Sequence, residues 1–458
     1  MDAEAAALPV SASYVVVGAG LAGLSAAVAL KAAGHAVELI ERTRLLGGKA
    51  TSFTVDGIEV DNGQHVFLGC CSDFIAFVED VWRRAGRATG LSPSPLWLQE
   101  RFDVLLLAPG QSPARMRARD LPAPLHLTPA LLAYPLLAPA DRLRLGAALL
   151  LATQPADPTE TFADWLTRHG QGDAILDAFW HPFIVPALNA ALDQVAATDA
   201  LYVIRTAFLS DRHAACFGFS RLPLARIAEA AAGLVDQVRM RTSVSSIEAG
   251  EGGADRVRLR LSDGESIECD GVVLAVPPRN LAQILGDHQR FGLSGLDAFQ
   301  TAPIIDVHLW YDRPELGFGF AALVGSPVQW VFEKAPGYLC CSLSAAEELI
   351  HKPSDELASI CRAELGNVLP ELAGQAPAHS AVTRDREATF VPAPGLRRPG
   401  QLTNRPNIVI AGAWTDTGGW PATMESAVRS GKTAARILNT RARDRRTVGC
   451  SEMTLANG

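Results

Sequence analysis

Hydrophobic and polar positions near the start of the chain alternate as a strand, a turn, a helix and a second strand. Tyr14 to Val17 is an unbroken aromatic and β-branched run, the pattern of a buried strand. Gly18 to Gly23 turns the chain, Leu24 to Ala33 is rich in Ala and Leu and predicts a helix, and Gly34-His35 stops it. Ala36 to Ile40 is a second strand, which completes one βαβ unit of about 30 residues. Asp73 to Arg84 has helical periodicity. Residues 92–140 are proline-rich and irregular apart from a strand near Phe102 to Leu107, and residues 141–210 read as helices. Leu222 to Ala232 predicts a helix, whereas Val244–Ile247, Val257–Leu261 and Ser266–Cys269 alternate as antiparallel strands do. Val272 to Val276 is a buried strand ended by Pro277-Pro278. Residues 303–345 are strand-rich and 353–367 helical. Asn407 to Ala411 is a last buried strand, followed by a glycine-rich turn and a helix from about Ala422 to Leu438. No internal repeat is visible. The tail from Thr440 to Gly458 carries several arginines without periodicity and is expected to be disordered.

Composition narrows the class. The 458 residues admit two or three domains, and 48% hydrophobic against 20% charged residues excludes disorder as the dominant state. A net charge of −8 argues against nucleic-acid binding. Eight cysteines without a CxxC pair or His/Cys spacing give neither a disulfide framework nor a metal site, so a reducing cytoplasm is the expected compartment. The acidic start Met1-Asp2-Ala3-Glu4 does not resemble a secretory signal. Leu131 to Ala152 is long and apolar, but Pro135, Pro139, Asp141, Arg142 and Arg144 argue against a spanning helix. Mean hydropathy is nevertheless +0.14, which suits a lipid-like substrate or a membrane contact.

The strongest chemical signal is Gly18-Ala19-Gly20-Leu21-Ala22-Gly23, a GxGxxG between predicted strand and helix. Glycines there allow a tight turn and close approach of backbone to a pyrophosphate, and the helix start offers free N–H groups to the anion. Glu41 ends the second strand about 20 residues on, where a carboxylate accepts hydrogen bonds from a ribose diol. Arg42 and then Leu46-Gly47-Gly48-Lys49-Ala50 follow. A second glycine pair lets the chain pass the cofactor twice, with a basic residue beside the pyrophosphate.

This arrangement resembles the GG motif of the FAD-dependent amine oxidase and carotenoid desaturase superfamily. Arg241-Thr242-Ser243-Val244 resembles the segment whose valine pairs with the adenine, and Val272 to Pro278, including Ala275, the strand returning beneath the cofactor. Ala411-Gly412-Ala413-Trp414-Thr415-Asp416 and Pro421-Ala422-Thr423-Met424-Glu425 resemble the turn and helix start that face the flavin pyrimidine. The resemblance therefore implies non-covalent FAD held by Gly18, Gly20, Leu21, Ala22, Gly23, Glu41, Arg42, Gly48, Lys49, Val244, Ala275, Gly412, Asp416, Thr423 and Met424. It implies an α/β fold: a Rossmann-like FAD-binding domain in three discontinuous segments (1–75, 215–290, 400–440) with an inserted α+β substrate domain (76–214, 291–399), and 441–458 as the tail.

Two blocks narrow the likeness. Asp61-Asn62-Gly63-Gln64-His65 and the stretch TDTGGWPATMESAVRSG from Thr415 to Gly431 are similar to hydroxysqualene dehydroxylases, FAD-dependent enzymes of bacterial hopanoid pathways. Trp180-His181-Pro182, Leu188-Asn189 and Ala388-Thr389-Phe390 support it. The resemblance implies that a hydroxylated C30 isoprenoid loses its hydroxyl as water and gains a hydride, giving squalene, so a proton donor is required. It also implies a long-chain isoprenoid ligand, the synthases of the same pathway as partners, and a cytoplasmic enzyme on the inner face of the plasma membrane. Ala413 stands where the family would place an acid, so the expectation is either weaker flavin binding or a contact rerouted to Asp416 or a water.

His65 is the first candidate acid, because it titrates near neutrality and lies in the block expected by the flavin. Asp61 is the second catalytic candidate, with a turn-fixing role as its alternative. His181, Asn189 and Trp420 are candidate substrate-binding residues; packing, capping and flavin-wall roles compete for them, and Trp414 is a second candidate for the flavin wall. Asp306 and His308 alternate on a predicted strand and share a face. The alternative activities are a phytoene desaturase-like polyene oxidation, an amine oxidation with Lys334 as the candidate lysine, and a non-catalytic FAD-binding subunit. Leu121 to Ala152 is expected to border the substrate entrance and meet the bilayer, through Leu131, Leu132, Tyr134, Leu136, Leu137, Arg142 and Arg144.

Overall fold

The chain starts as its apolar pattern predicts, with a buried strand running into a glycine turn. The computed structural model describes residues 12–55, 57–87, 94–249 and 256–456. In chain order they form β1 (Ser13–Val17), α1 (Leu21–Ala32), β2 (Ala36–Ile40), β3 (Ser52–Val55), β4 (Ile58–Asp61), β5 (Val66–Leu68) and α2 (Ser72–Arg84). Next come β6 (Leu96–Leu98), β7 (Asp103–Leu107), β8 (Ala114–Arg117), α3 (Thr128–Leu132), α4 (Pro139–Leu151) and α5 (Phe162–Arg168). The short α6 (Asp173–Ile175) passes through a π-helical turn into α7 (His181–Leu188), and α8 (Ala197–Val203) follows. Then come β9 (Phe217–Ser220), α9 (Leu224–Ala232), β10 (Gln237–Arg239), β11 (Val244–Ala249), β12 (Val257–Leu261), β13 (Ser266–Cys269), β14 (Gly271–Leu274) and α10 (Pro278–Leu285). The last part holds β15 (Thr301–Trp310), β16 (Phe320–Leu323), β17 (Trp330–Ala335), β18 (Tyr338–Ser344), α11 (Ser354–Val368), β19 (His379–Phe390), β20 (Ile408–Ile410) and α12 (Met424–Ala456).

Five strands form one parallel sheet in the order β10-β2-β1-β14-β20, drawn from three distant stretches of chain. Helix α1 is buried on nearly every side, because α12 lies across it. Their approach is close enough that a Cβ on Gly431 would sit 2.1 Å from the Ala22 carbonyl oxygen, so only glycine fits there. A second sheet of seven strands, β19-β15-β18-β17-β16-β7-β8, carries the rest of the chain. One of its faces packs on α11, and the other meets α7 and the small sheet β5-β9-β6.

Two expectations need correcting. A boundary at 75/76 would cut α2, whose apolar face (Phe74, Phe77, Val78, Val81) packs in the same core as α1, α9 and α12. The tail expected to be disordered from 441 continues α12 to Ala456, in keeping with the helix preference of its Ala and Arg residues.

The apolar stretch 121–152 divides unlike its expected reading. Tyr134 and Leu137 are core residues, the Tyr134 hydroxyl donating to the Ala178 carbonyl at 2.6 Å. Arg142 donates to the Leu132 and Leu137 carbonyls, and Arg144 pairs with Asp141. Leu132 is exposed as expected, and the other exposed apolar side chains of the stretch are Leu121, Leu125, Leu143, Leu150 and Leu151. Among the described residues no helix is long and apolar enough to cross a membrane.

Candidate functional site

The glycine turn ends β1 and opens α1. Gly18 has φ +101°, and a Cβ there would strike the Ala275 carbonyl oxygen at 2.4 Å, which explains why the returning strand needs glycine opposite it. Gly23 is equally constrained by the Gly18 carbonyl, while Leu21 and Ala22 are buried in the helix's first turn. The second glycine pair lies against the first: Gly47 donates to the Ala19 carbonyl, and a Cβ on Gly48 would approach Gly20 Cα to 2.9 Å. A Cβ on Gly20 would meet only Gly48 Cα, at 3.9 Å. The first turn of α1 has no acidic residue and no side-chain cap. Bare backbone and free N–H groups at a helix start fit a pyrophosphate. The Glu41 carboxylate accepts from the Ala19 and Thr43 N–H groups and keeps lone pairs for a ribose. Thr242 donates back to the Glu41 carbonyl, which brings the segment before the buried Val244 beside it.

At the far end, Gly412 donates to Ser430 Oγ, and Thr423 caps α12 with Met424 as its first residue. Glu425 is fully buried and accepts from the Asp73 and Phe74 N–H groups, so it caps α2 while pairing with Arg429. That role is absent from the sequence reading, because the partner helix lies more than 340 residues away.

Several expected cofactor and substrate contacts are redirected. Lys49 pairs with Asp385 and donates to the Glu387 carbonyl on β19. Arg42 is exposed. Asp416 is exposed too, and its carboxylate accepts the Gly418 N–H, so it closes its own turn rather than replacing an acid at Ala413. His181 points outward and pairs with Asp177 one helical turn away. Asn189 is buried at φ +50°; its amide donates to the Ala302 carbonyl and Thr389 Oγ1 and accepts the Ala345 N–H. It is a structural cap with both amide hydrogens already given to the protein. Trp420 is buried against Tyr202 and Arg429, and Trp414 donates to the Val276 carbonyl.

The turn 61–65 sits between the glycine loops and the seven-stranded sheet. Asn62 donates to the Lys49 carbonyl. Asp61 Oδ1 accepts from Ser52 Oγ and from the Leu224 N–H, a cap on α9, and its Oδ2 lies 4.0 Å from Lys334 Nζ. Lys334 donates to Gln64 Oε1 at 2.8 Å, and the Gln64 N–H donates to Asp306 Oδ1 at 3.2 Å. Gly63 has φ +97°, and a Cβ there would lie 2.9 Å from Asp306 Oδ2 and 4.0 Å from His65 Cε1. His65 Nδ1 lies 3.1 Å from the Gly63 carbonyl oxygen. Burial holds this imidazole below its ordinary pKa, against the pull of the Asp61 carboxylate and the Gly63 carbonyl.

Asp306 and His308 do share a face of β15, as their alternation predicts. Both are 2% exposed. Burial pushes the Asp306 carboxyl up to about 6, although the Ser342 hydroxyl and the Gln64 N–H oppose it. Burial pushes the His308 imidazole down to about 4. Its Nδ1 lies 2.8 Å from the Tyr338 hydroxyl. Beyond His65, Val66 pairs with Phe219, which meets Phe320 and Phe332 at ring distances of 5.3 and 5.7 Å. Phe217 and Trp330 extend this aromatic face. A polar, titratable cluster therefore adjoins a broad apolar wall.

Residues 21–439 match the family of flavin containing amine oxidoreductases. The chain belongs to that family. It is an FAD-dependent oxidoreductase, and the glycine cradle fits that cofactor. The chain is 29% identical over 433 residues to a hydroxysqualene dehydroxylase of Rhodopseudomonas palustris, covering 92% of this chain and 97% of that one. It is 26% identical over 463 residues to a 15-cis-phytoene desaturase of Solanum lycopersicum, covering 93% and 77%. Among solved structures, cyclohexylamine oxidase from Brevibacterium oxydans superposes with a TM-score of 0.70 at 19% identity, covering 94% of this chain and all of that one. That last likeness is one of fold.

Proposed function

We propose that this enzyme removes the hydroxyl of hydroxysqualene reductively, giving squalene. The observation that carries the reading is the meeting of the 61–65 turn with the Phe217–Phe219–Phe320–Trp330–Phe332 wall, in a chain that matches a hydroxysqualene dehydroxylase over nearly its full length. A branched hydrocarbon suits the wall, and a departing hydroxyl needs the polar turn. FAD, bound in its reduced form, supplies the hydride. The protein's own work is to hold the C–O bond at the junction, exclude water and provide a proton there. His65 is the group that meets the leaving oxygen, and Asp61 keeps the turn fixed to α9.

The ligand also dictates a place. A C30 isoprenoid stays in lipid unless an equally apolar path leads out, since each CH₂ is worth about 0.8 kcal/mol. The outward leucines of 121–151 supply an apolar face, with Leu143 67% and Leu150 70% exposed. Beside the loop after Arg119 opens a cleft of about 820 Å³ whose five arginines outnumber Glu100, Asp103 and Asp120, with Arg117 paired to Asp103 and Arg212 to Asp120. Leucines next to arginines complement the surface of an anionic bilayer.

Anaerobic incubation of chemically reduced enzyme with hydroxysqualene, analysed by gas chromatography and mass spectrometry, tests the activity. Squalene should appear in step with flavin reoxidation, and His65→Ala should slow it by about 10²–10⁴-fold while retaining FAD. Desaturation of phytoene by the oxidised enzyme, with no squalene formed, would favour polyene oxidation instead, the direction that the phytoene desaturase likeness suggests.

A further inference from the structure

Loss of a hydroxyl as water consumes one proton at the leaving oxygen in each turnover. His65 is placed to deliver it, but burial works against the charged ring that could. A ring nitrogen 3.1 Å from a carbonyl oxygen must be an N–H, so Nδ1 carries a hydrogen and Nε2 is the nitrogen that gains or loses a proton. Burial disfavours a second proton on the ring. Nε2 must therefore take a proton before it can give one.

The surrounding groups narrow the source. On its own turn, Asp61 is an acceptor occupied by Ser52 and the Leu224 N–H. On β17, Lys334 donates to Gln64 and faces Asp61. On β15, His308 is held neutral by burial. On β18, burial raises both Tyr338 and Cys340, so each keeps its proton. On β19, Asp385 is paired with Lys49. Asp306 remains. Its Oδ2 and the His65 ring border the same small volume, the place where Gly63 lacks a side chain.

We propose that Asp306 is the proton reserve of this site, refilling His65 across the gap at Gly63; this rests on the dehydroxylation proposed above. Asp306 acts through His65 and is a positioning residue. Its proton passes to His65 Nε2, leaving a carboxylate, and His65 gives that proton to the substrate oxygen. The C–O bond breaks with its electron pair on oxygen, which departs as water. The carbon is left with hydride, whose two electrons come from the reduced flavin, and solvent reprotonates Asp306. The elevated carboxyl, at about 6, exchanges its proton within reach of neutral pH.

The test reads His65 itself. Holoenzyme labelled with ¹⁵N-histidine is titrated by NMR, with His65→Gln assigning the resonance. The wild-type His65 signal should show an inflection near pH 6 that Asp306→Asn abolishes and Asp306→Glu restores in part. In turnover, Asp306→Asn should lower kcat about 100-fold with KM unchanged. An unaltered His65 titration in FAD-loaded Asp306→Asn would overturn the proposal. Should that variant fail to fold, Ser342→Ala serves: loss of the hydroxyl should move the inflection to higher pH, and no movement overturns the proposal equally. Because the titration needs no substrate, it judges the Asp306–His65 link even if hydroxysqualene is not the substrate.

Discussion

Asp306 and His308 sit two residues apart on one face of β15, and burial displaces their protons in opposite directions. Replacing either should uncover the other in the pH dependence of stability. The Asp306 carboxyl moves from 3.8 to about 6 on folding. Between those values the folded protein holds a proton that the unfolded chain has lost. The stabilisation is thus complete below the unfolded pKa and disappears as pH rises through about 6. At 1.36 kcal/mol per pH unit, it amounts to about 3 kcal/mol. His308 moves from 6.5 to about 4. Here the unfolded chain holds the extra proton, so stability is complete above 6.5 and is lost as pH falls through about 4, again by about 3 kcal/mol. In the wild type the two slopes nearly cancel from pH 4 to 6. Asp306→Asn leaves the His308 slope, and its unfolding free energy should climb by about 3 kcal/mol more than that of wild type from pH 4 to 6.5. His308→Asn should fall by a similar amount from pH 4 to 6. The assay is urea unfolding at saturating FAD, followed by tryptophan fluorescence at half-unit pH steps. Slopes are compared, because a substitution adds a constant that does not vary with pH. Variant curves parallel to the wild type would refute the burial argument for both residues.

Gly20→Val should fold normally yet purify without flavin absorbance, because a side chain there meets only Gly48 Cα at 3.9 Å inside the protein but fills the pyrophosphate space. Glu425→Ala should cost about 3 kcal/mol in urea unfolding, since it strips a buried carboxylate from two N–H groups of α2 and from Arg429. Asn189→Ala should cost about 2–3 kcal/mol and leave KM unchanged; a raised KM at intact stability would return Asn189 to the substrate. Wild-type protein should float with anionic liposomes, and a Leu132→Ser, Leu143→Ser, Leu150→Ser variant should stay in the soluble fraction with its FAD; equal flotation would place the contact elsewhere.

What could be read in advance divides along physical lines. The turn of Gly18, Gly20 and Gly23 and the Glu41 carboxylate beside it were legible because the pattern is local: a strand, a tight turn and a helix start follow one another within about 20 residues. The shared face of Asp306 and His308 was legible from strand alternation alone. Their partners were not, since Tyr338 arrives through the register of β18 and Gln64 from a turn 242 residues earlier, which no local pattern encodes. Lys49 looked like a cofactor contact because charge beside glycine suggests an anion, but its partner Asp385 lies 336 residues on. His181 and Asn189 were misjudged for the opposite reason. Each is satisfied by ordinary structural contacts, an i−4 carboxylate for one and three hydrogen-bond partners for the other. The apolar run 121–152 revealed its composition but not which leucines face out, because short helices broken by prolines reset the phase.

The parallel sheet takes its edge strand β20 from residues 408–410, and the helix lying across α1 begins only at Met424. During synthesis, the glycine turn leaves the ribosome first and then waits for nearly all the remaining chain. At about 5–20 residues per second, that delay is tens of seconds. Throughout it, α1 has its buried face uncovered and the cofactor bed has no closing wall. Flavin loading is therefore a late event, and translation halted before residue 408 should leave a sticky, colourless chain for chaperones or proteases. A nonsense codon before residue 408 would act as a null allele, although every residue of the first fingerprint had been made.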